Sequence, residues 1–142
     1  MSSNTTLPDK WVRKAIHALI NNMTVGTQEI PCFDTNTANY NGDAYVILST
    51  QTNLEESKKC KDGWRHTILI EAVTRKKRND GSRVLSEDII QSILEKTTDL
   101  ELDTNSGLSI RNINVSTPND ISVKNDDNVI HRKFLRFEML IN

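Results

Sequence analysis

The chain has 142 residues, 36% of them hydrophobic and 26% charged, enough for one hydrophobic core and too short for two. A formal net charge of −1 argues against a freestanding nucleic-acid binder, which is usually basic overall. Two cysteines, Cys32 and Cys60, are too few for a disulfide scaffold. No apolar run resembles a signal peptide or reaches bilayer length, so no membrane association is expected, and the protein is read as folding in a cytoplasm. Both cysteines are then expected as free thiols.

Residues 1–6 are polar and expected to fray, leaving 7–142 as a single domain. A first helix is predicted from Leu7 to Asn22. Thr5 or Thr6 can cap it, and Pro8 and Asp9 suit its first turn. Val12, Ala15, Ile16, Leu19 and Ile20 recur at helical spacing on one face. Thr27–Phe33 reads as a short strand, placed at an edge by Pro31. The run Tyr45-Val46-Ile47-Leu48 marks a strand over Ala44–Thr50. Gln51–Gly63, polar and lysine-rich, reads as a long loop of the kind that projects and carries function.

Trp64–Arg75 is the longest strand signal, with Ile68, Ile70 and Ala72 on one side and Leu69, Glu71 and Val73 on the other. A basic turn, Lys76–Arg83, follows. The second helix is predicted over Ser86–Thr97 with Ser86 as N-cap and Ile89, Ile90, Ile93 and Leu94 buried. Leu108–Ser116 reads as a weaker strand and Thr117–Asn128 as a loop. Val129–Ile141 closes the chain as a strand with Leu135, Phe137, Met139 and Ile141 on one face. The expected fold is a single α+β domain of order α-β-β-β-α-β-β. Two amphipathic helices cover one face of a largely antiparallel sheet of four to five strands.

Little in the sequence suggests catalysis. His17, His66 and His131 fall in different elements and read as exposed side chains, and neither cysteine has a cysteine neighbour for a metal site. No nucleophile elbow, P-loop or dinucleotide fingerprint occurs. The carboxylate pairs Glu55-Glu56 and Glu87-Asp88 read as solvated or capping charges. No catalytic residue, cofactor or metal ligand is therefore assigned. The strongest charge feature is Arg75-Lys76-Lys77-Arg78, followed by Arg83. A second group is Lys58, Lys59, Lys61 and Arg65 beside Trp64. Lys58, Lys59, Lys61, Trp64, Arg75, Lys76, Lys77 and Arg78 are thus the candidate residues for contacts between subunits or with nucleic acid. An indole beside lysines suits either base stacking or the anchoring of a strand end or interface.

The order of elements, and above all the segments Trp11–Ile20, Ala44–Leu48, His66–Thr74, Ser86–Lys96 and His131–Ile141, resembles the tail-completion or tail-terminator proteins of tailed bacteriophages. The closing segment looks like the family's closing strand, in which a basic residue leads into an alternating, aromatic-rich run. The likeness runs from Pro8 to Ile141. It implies a non-enzymatic structural virion protein at the head–tail junction, with no cofactor. It also implies a homomeric ring, commonly a hexamer, around the DNA channel. Other neck, connector or tail proteins would be its partners, and non-specific contact with channel DNA would come from the basic residues. Terminator, connector and other neck rings all fit. A small nucleic-acid-binding module using the basic loops is the alternative from another class, and an unrecognised enzyme or regulatory domain is the third.

Overall fold

The structure is a computed structural model and describes residues 6–34, 42–58, 61–77, 83–124 and 127–142. Helix α1 spans Asp9–Ile20 and is followed by three short strands, β1 (Met23–Val25), β2 (Gln28–Ile30) and β3 (Cys32–Phe33). Two long strands come next, β4 (Ala44–Lys58) and β5 (Lys61–Lys77), then helix α2 (Val84–Lys96). Strands β6 (Ile110–Ser116), β7 (Ile121–Lys124) and β8 (Asn128–Ile141) complete the chain. The main sheet has the order β3-β4-β5-β8-β6, with β7 also paired to β8. Strands β6 and β7 therefore lie end to end along one flank of β8, against Arg136–Ile141 and Val129–Arg132 respectively.

This α+β sheet is mixed rather than antiparallel throughout. Strand β3 joins β4 in parallel, Cys32 opposite Val46 and Phe33 opposite Ile47. Parallel neighbours need a crossover rather than a tight turn. The expected strand at Thr27–Phe33 is instead divided. Gly26, at φ +64, makes the turn of a β1–β2 hairpin, and Pro31, which has no N–H to give to a ladder, separates β2 from β3.

Alternation along the strands decides which face each side chain takes. Val46, Leu48, Ile68, Ile70, Ala72, Leu135, Phe137, Met139 and Ile141 point to one face and are buried. Val12, Ile16 and Ile20 of α1, with Ile89, Ile90 and Ile93 of α2, close over them to form one core. Helix α1 lies over β3 and β4, and α2 over β5 and β8. Leu19 is 40% exposed, because the buried stripe of α1 is centred on Val12, Ile16 and Ile20 and leaves Leu19 at its margin. The cap expectations also change. Neither helix has a side-chain N-cap hydrogen bond. Ser86 lies inside α2, buried, its hydroxyl donating to the Arg83 carbonyl at 2.8 Å.

The largest difference concerns Gln51–Gly63, expected as a loop. It is a continuation of the β4–β5 hairpin, paired in register as far as Lys58 opposite Lys61. The first strand gains the segment 51–58 and the second begins at Lys61 rather than Trp64. One extra residue enters β4 between Leu48 and Gln51. This β-bulge reverses the inward and outward phase of everything beyond it. Gln51 and Asn53 consequently face the helices, while Leu54 faces away from them and is 64% exposed. Residues 121–124, expected within a loop, form β7.

Candidate assembly surfaces

The base of the hairpin arm is tied to α1 through polar side chains that the bulge turns inward. Gln51 Nε2 donates to the Asp9 carbonyl at 3.0 Å and lies 3.1 Å from His66 Nε2. His66 Nδ1 is 2.7 Å from Asn53 Oδ1, and Asn53 Nδ2 donates to the Asp9 carboxylate. These contacts together require a neutral imidazole with its proton on Nδ1, because Nε2 must accept from Gln51. Arg13 completes the cluster, its Nε donating to Gln51 Oε1 at 2.8 Å and its Nη atoms to the carbonyls of Asp34 and Ser49. His66 has no exposed surface. Burial holds its imidazole below the ordinary value, assisted by the Arg13 charge and opposed by Asp9. Histidine 131 is also buried, 2.7 Å from the Ser122 hydroxyl, so neither it nor His66 is the exposed residue that its sequence context suggested. The signal for His66 was its phase, two residues before Ile68 on the inward side.

Trp64 lies half-buried on the helix side, and its indole N–H donates to the Thr6 carbonyl at 3.1 Å, holding the segment that leads into α1. Just before it, Gly63 passes so close to the end of β8 that an added Cβ would lie 2.6 Å from the Ile141 carbonyl oxygen.

The face away from the helices carries its own ion pairs. Arg65 bridges Glu56 and Glu138, each at 3.0 Å, joining the arm to β8, and Arg132 pairs with Glu71 at 3.2 Å. Hydrogen bonding to Glu56 is the main reason the Arg65 guanidinium is held still more firmly protonated than usual. Among these charges lie Tyr45, Ile47, Leu69, Phe134 and Leu140, all half-buried. Phe33 packs edge-on against Tyr45 at 6.2 Å between ring centres.

The candidate basic residues divide into two places. The backbones of Lys58 and Lys61 pair at the far end of the hairpin, while Arg75, Lys76 and Lys77 lie opposite Ile130, Val129 and Asn128 at the other end of the sheet. At about 3.3 Å per residue the two groups are roughly 40–50 Å apart along β5. The second group also splits between faces, since Arg75 and Lys77 alternate with Lys76. Lys124, missed in the sequence because β7 was read as a loop, lies across β8 on the same side as Lys76, both opposite Val129. Lys59 and Arg78 lie outside the described residues, as does Cys60. Among the described residues, no three histidine, cysteine or carboxylate groups converge as a metal site. Cys32 is a free, buried thiol. Among the described residues, no helix is long and apolar enough to cross a membrane.

No protein-family model and no curated protein matches the chain. Its fold is nonetheless similar to that of a chain in a solved structure described as the virion of a native gene transfer agent (GTA) particle. The TM-score is 0.59 at 16% sequence identity, and the match covers 97% of this chain and 99% of the other. At that identity the similarity is one of fold.

Proposed function

We propose that this protein is a structural component of a tailed, phage-like virion, acting as a homomeric ring at the head–tail junction and having no catalytic activity. The observation that carries this reading is the end-to-end likeness of fold to a chain of the gene transfer agent particle, with almost nothing left over on either chain. The head–tail junction within such a particle is suggested by the sequence resemblance to tail-completion and tail-terminator proteins, drawn from the pattern of helices and strands. Open strands on both sides of one sheet also suit a subunit that uses two different surfaces for its neighbours.

The ring would join tail or neck proteins to the connector and surround the DNA channel. Among the described residues, the basic candidates stand at two ends of the sheet, an arrangement that does not favour the reading as a small nucleic-acid-binding module. Light scattering and negative-stain microscopy of the purified protein test the proposal. A mass of several chains with ring-shaped images is expected. A protein that remains a single chain at every concentration sinks the ring, and tight, salt-sensitive binding of random DNA by that single chain would favour the module.

A further inference from the structure

Among the described residues, β4 and β7 present open sheet edges at opposite sides of this molecule. Among the described residues, strand β4 beyond Val46 and Ile47, which hold β3, pairs only with β5; on the other side, β7 pairs only with β8. Such edges offer rows of N–H and C=O groups to another strand, and proteins usually blunt them with charge, proline or a covering segment. Here, beside Glu55 and Glu56 on β4 and Lys124 on β7, exposed apolar side chains stand on both. Leu54 on β4 is 64% exposed, and Ile121 and Val123 on β7 are 49% and 47% exposed. All three point to the face away from the helices: Leu54 shares its side with Arg65, and Ile121 and Val123 share theirs with Arg132 and Ile130. Leu54 does so only because of the bulge after Leu48. Without it, the phase of Ala44, Val46 and Leu48 would continue and turn Leu54 toward the core side.

We propose that the β4 arm of one copy adds to the β7 edge of the next, seating Leu54 against Val123 and Ile121. This inference rests on the ring reading above. Within the sheet β4 and β7 run in opposite directions, both being neighbours of the β5–β8 ladder from opposite sides. A sheet continuing from copy to copy therefore brings them together antiparallel. Setting Leu54 opposite Val123 places Asn53 opposite Lys124 and Glu55 opposite Ser122. Leu54, Val123 and Ile121 then share the outward face, where Glu56, already paired with Arg65, falls opposite Ile121, and the pairs Asn53–Lys124 and Glu55–Ser122 lie on the other face. Glu55 becomes the diagonal neighbour of Lys124, an opposite-charge contact within reach of two long side chains. The other open edge, β6, offers no such match: Asn112, Asn114 and Ser116 occupy its outward face, and its exposed Val115 is on the helix side. Because the two edges are different surfaces of one chain, the contact is heterologous and can close a ring.

The test compares Leu54→Glu, Val123→Lys and the chain carrying both, by light scattering, with circular dichroism to verify folding. Wild type is expected as a multimer, each single variant as a folded 16.1 kDa chain, and the double variant as a multimer again through the new Glu–Lys pair. Independently, Leu54→Cys with Val123→Cys in a Cys60→Ser background should give a ladder of disulfide-linked chains on mild oxidation. Within one chain these positions lie at opposite corners of the sheet and cannot meet. A multimeric wild type whose single variants keep the full mass, with no cross-linked ladder, overturns this seam while leaving the ring reading intact. A wild type that is a single chain at all concentrations overturns the ring reading and the seam with it.

Discussion

Replacing Ile70 by Ala probes the packing at the centre of the sheet. Ile70 has no exposed surface and lies in register between Leu48 of β4 and Leu135 of β8, which are 1% and 0% exposed. The change removes the equivalent of three carbon groups, about 2.4 kcal/mol at about 0.8 kcal/mol each. Strands hydrogen-bonded on both sides and helices above leave little room for collapse. An unrelaxed cavity then adds about 1–2 kcal/mol, for a total near 3.5–4.5 kcal/mol. For a chain of this size that should lower the melting temperature by about 10–15 °C. The neighbouring Leu69→Ala is the control: its side chain is only half-buried, on the face that no described helix covers, and it should cost about 1 kcal/mol. Urea unfolding followed by circular dichroism measures both, with the slope expected to be unchanged. A loss below about 0.5 kcal/mol at Ile70, or equal losses at both positions, would refute the assignment of faces.

Acid should weaken the arm's attachment through His66. Its imidazole is depressed below the ordinary 6.5, chiefly by burial, so the unfolded chain takes up the proton first. The stabilisation is therefore complete above about pH 6.5 and is lost as pH falls toward the folded value. His66→Gln should flatten the change in urea midpoint between pH 7.5 and 5; an undiminished pH dependence in that variant would assign it to other groups. Gly63→Ala forces a Cβ to within 2.6 Å of the Ile141 carbonyl and should cost about 1–3 kcal/mol, whereas a loss within error would mean that the end of β8 yields freely. The Cys32 thiol is pushed up to about 12 by burial and then by the Asp34 charge. In a Cys60→Ser chain at pH 8 it should label slowly when folded and rapidly in urea, and equal rates would contradict its burial.

The elements legible in the sequence are those whose burial imposes a regular period. Val12, Ile16 and Ile20 announce α1, Ile68, Ile70 and Ala72 the centre of β5, and Leu135, Phe137, Met139 and Ile141 the closing strand, because a continuous core selects apolar residues at each inward position. The arm escaped this reading since its inward positions, Gln51 and Asn53, are polar and are satisfied by His66, Asp9 and Arg13, partners 13 to 44 residues away in sequence. Strand β7 escaped because all four of its residues are exposed, which leaves no alternation to detect. Neither the bulge that reverses β4 nor the outward aim of Leu54 has a local signature. Both follow from register against β5, a pairing between strands that hydropathy along one strand does not encode, and it was the tertiary structure that decided them.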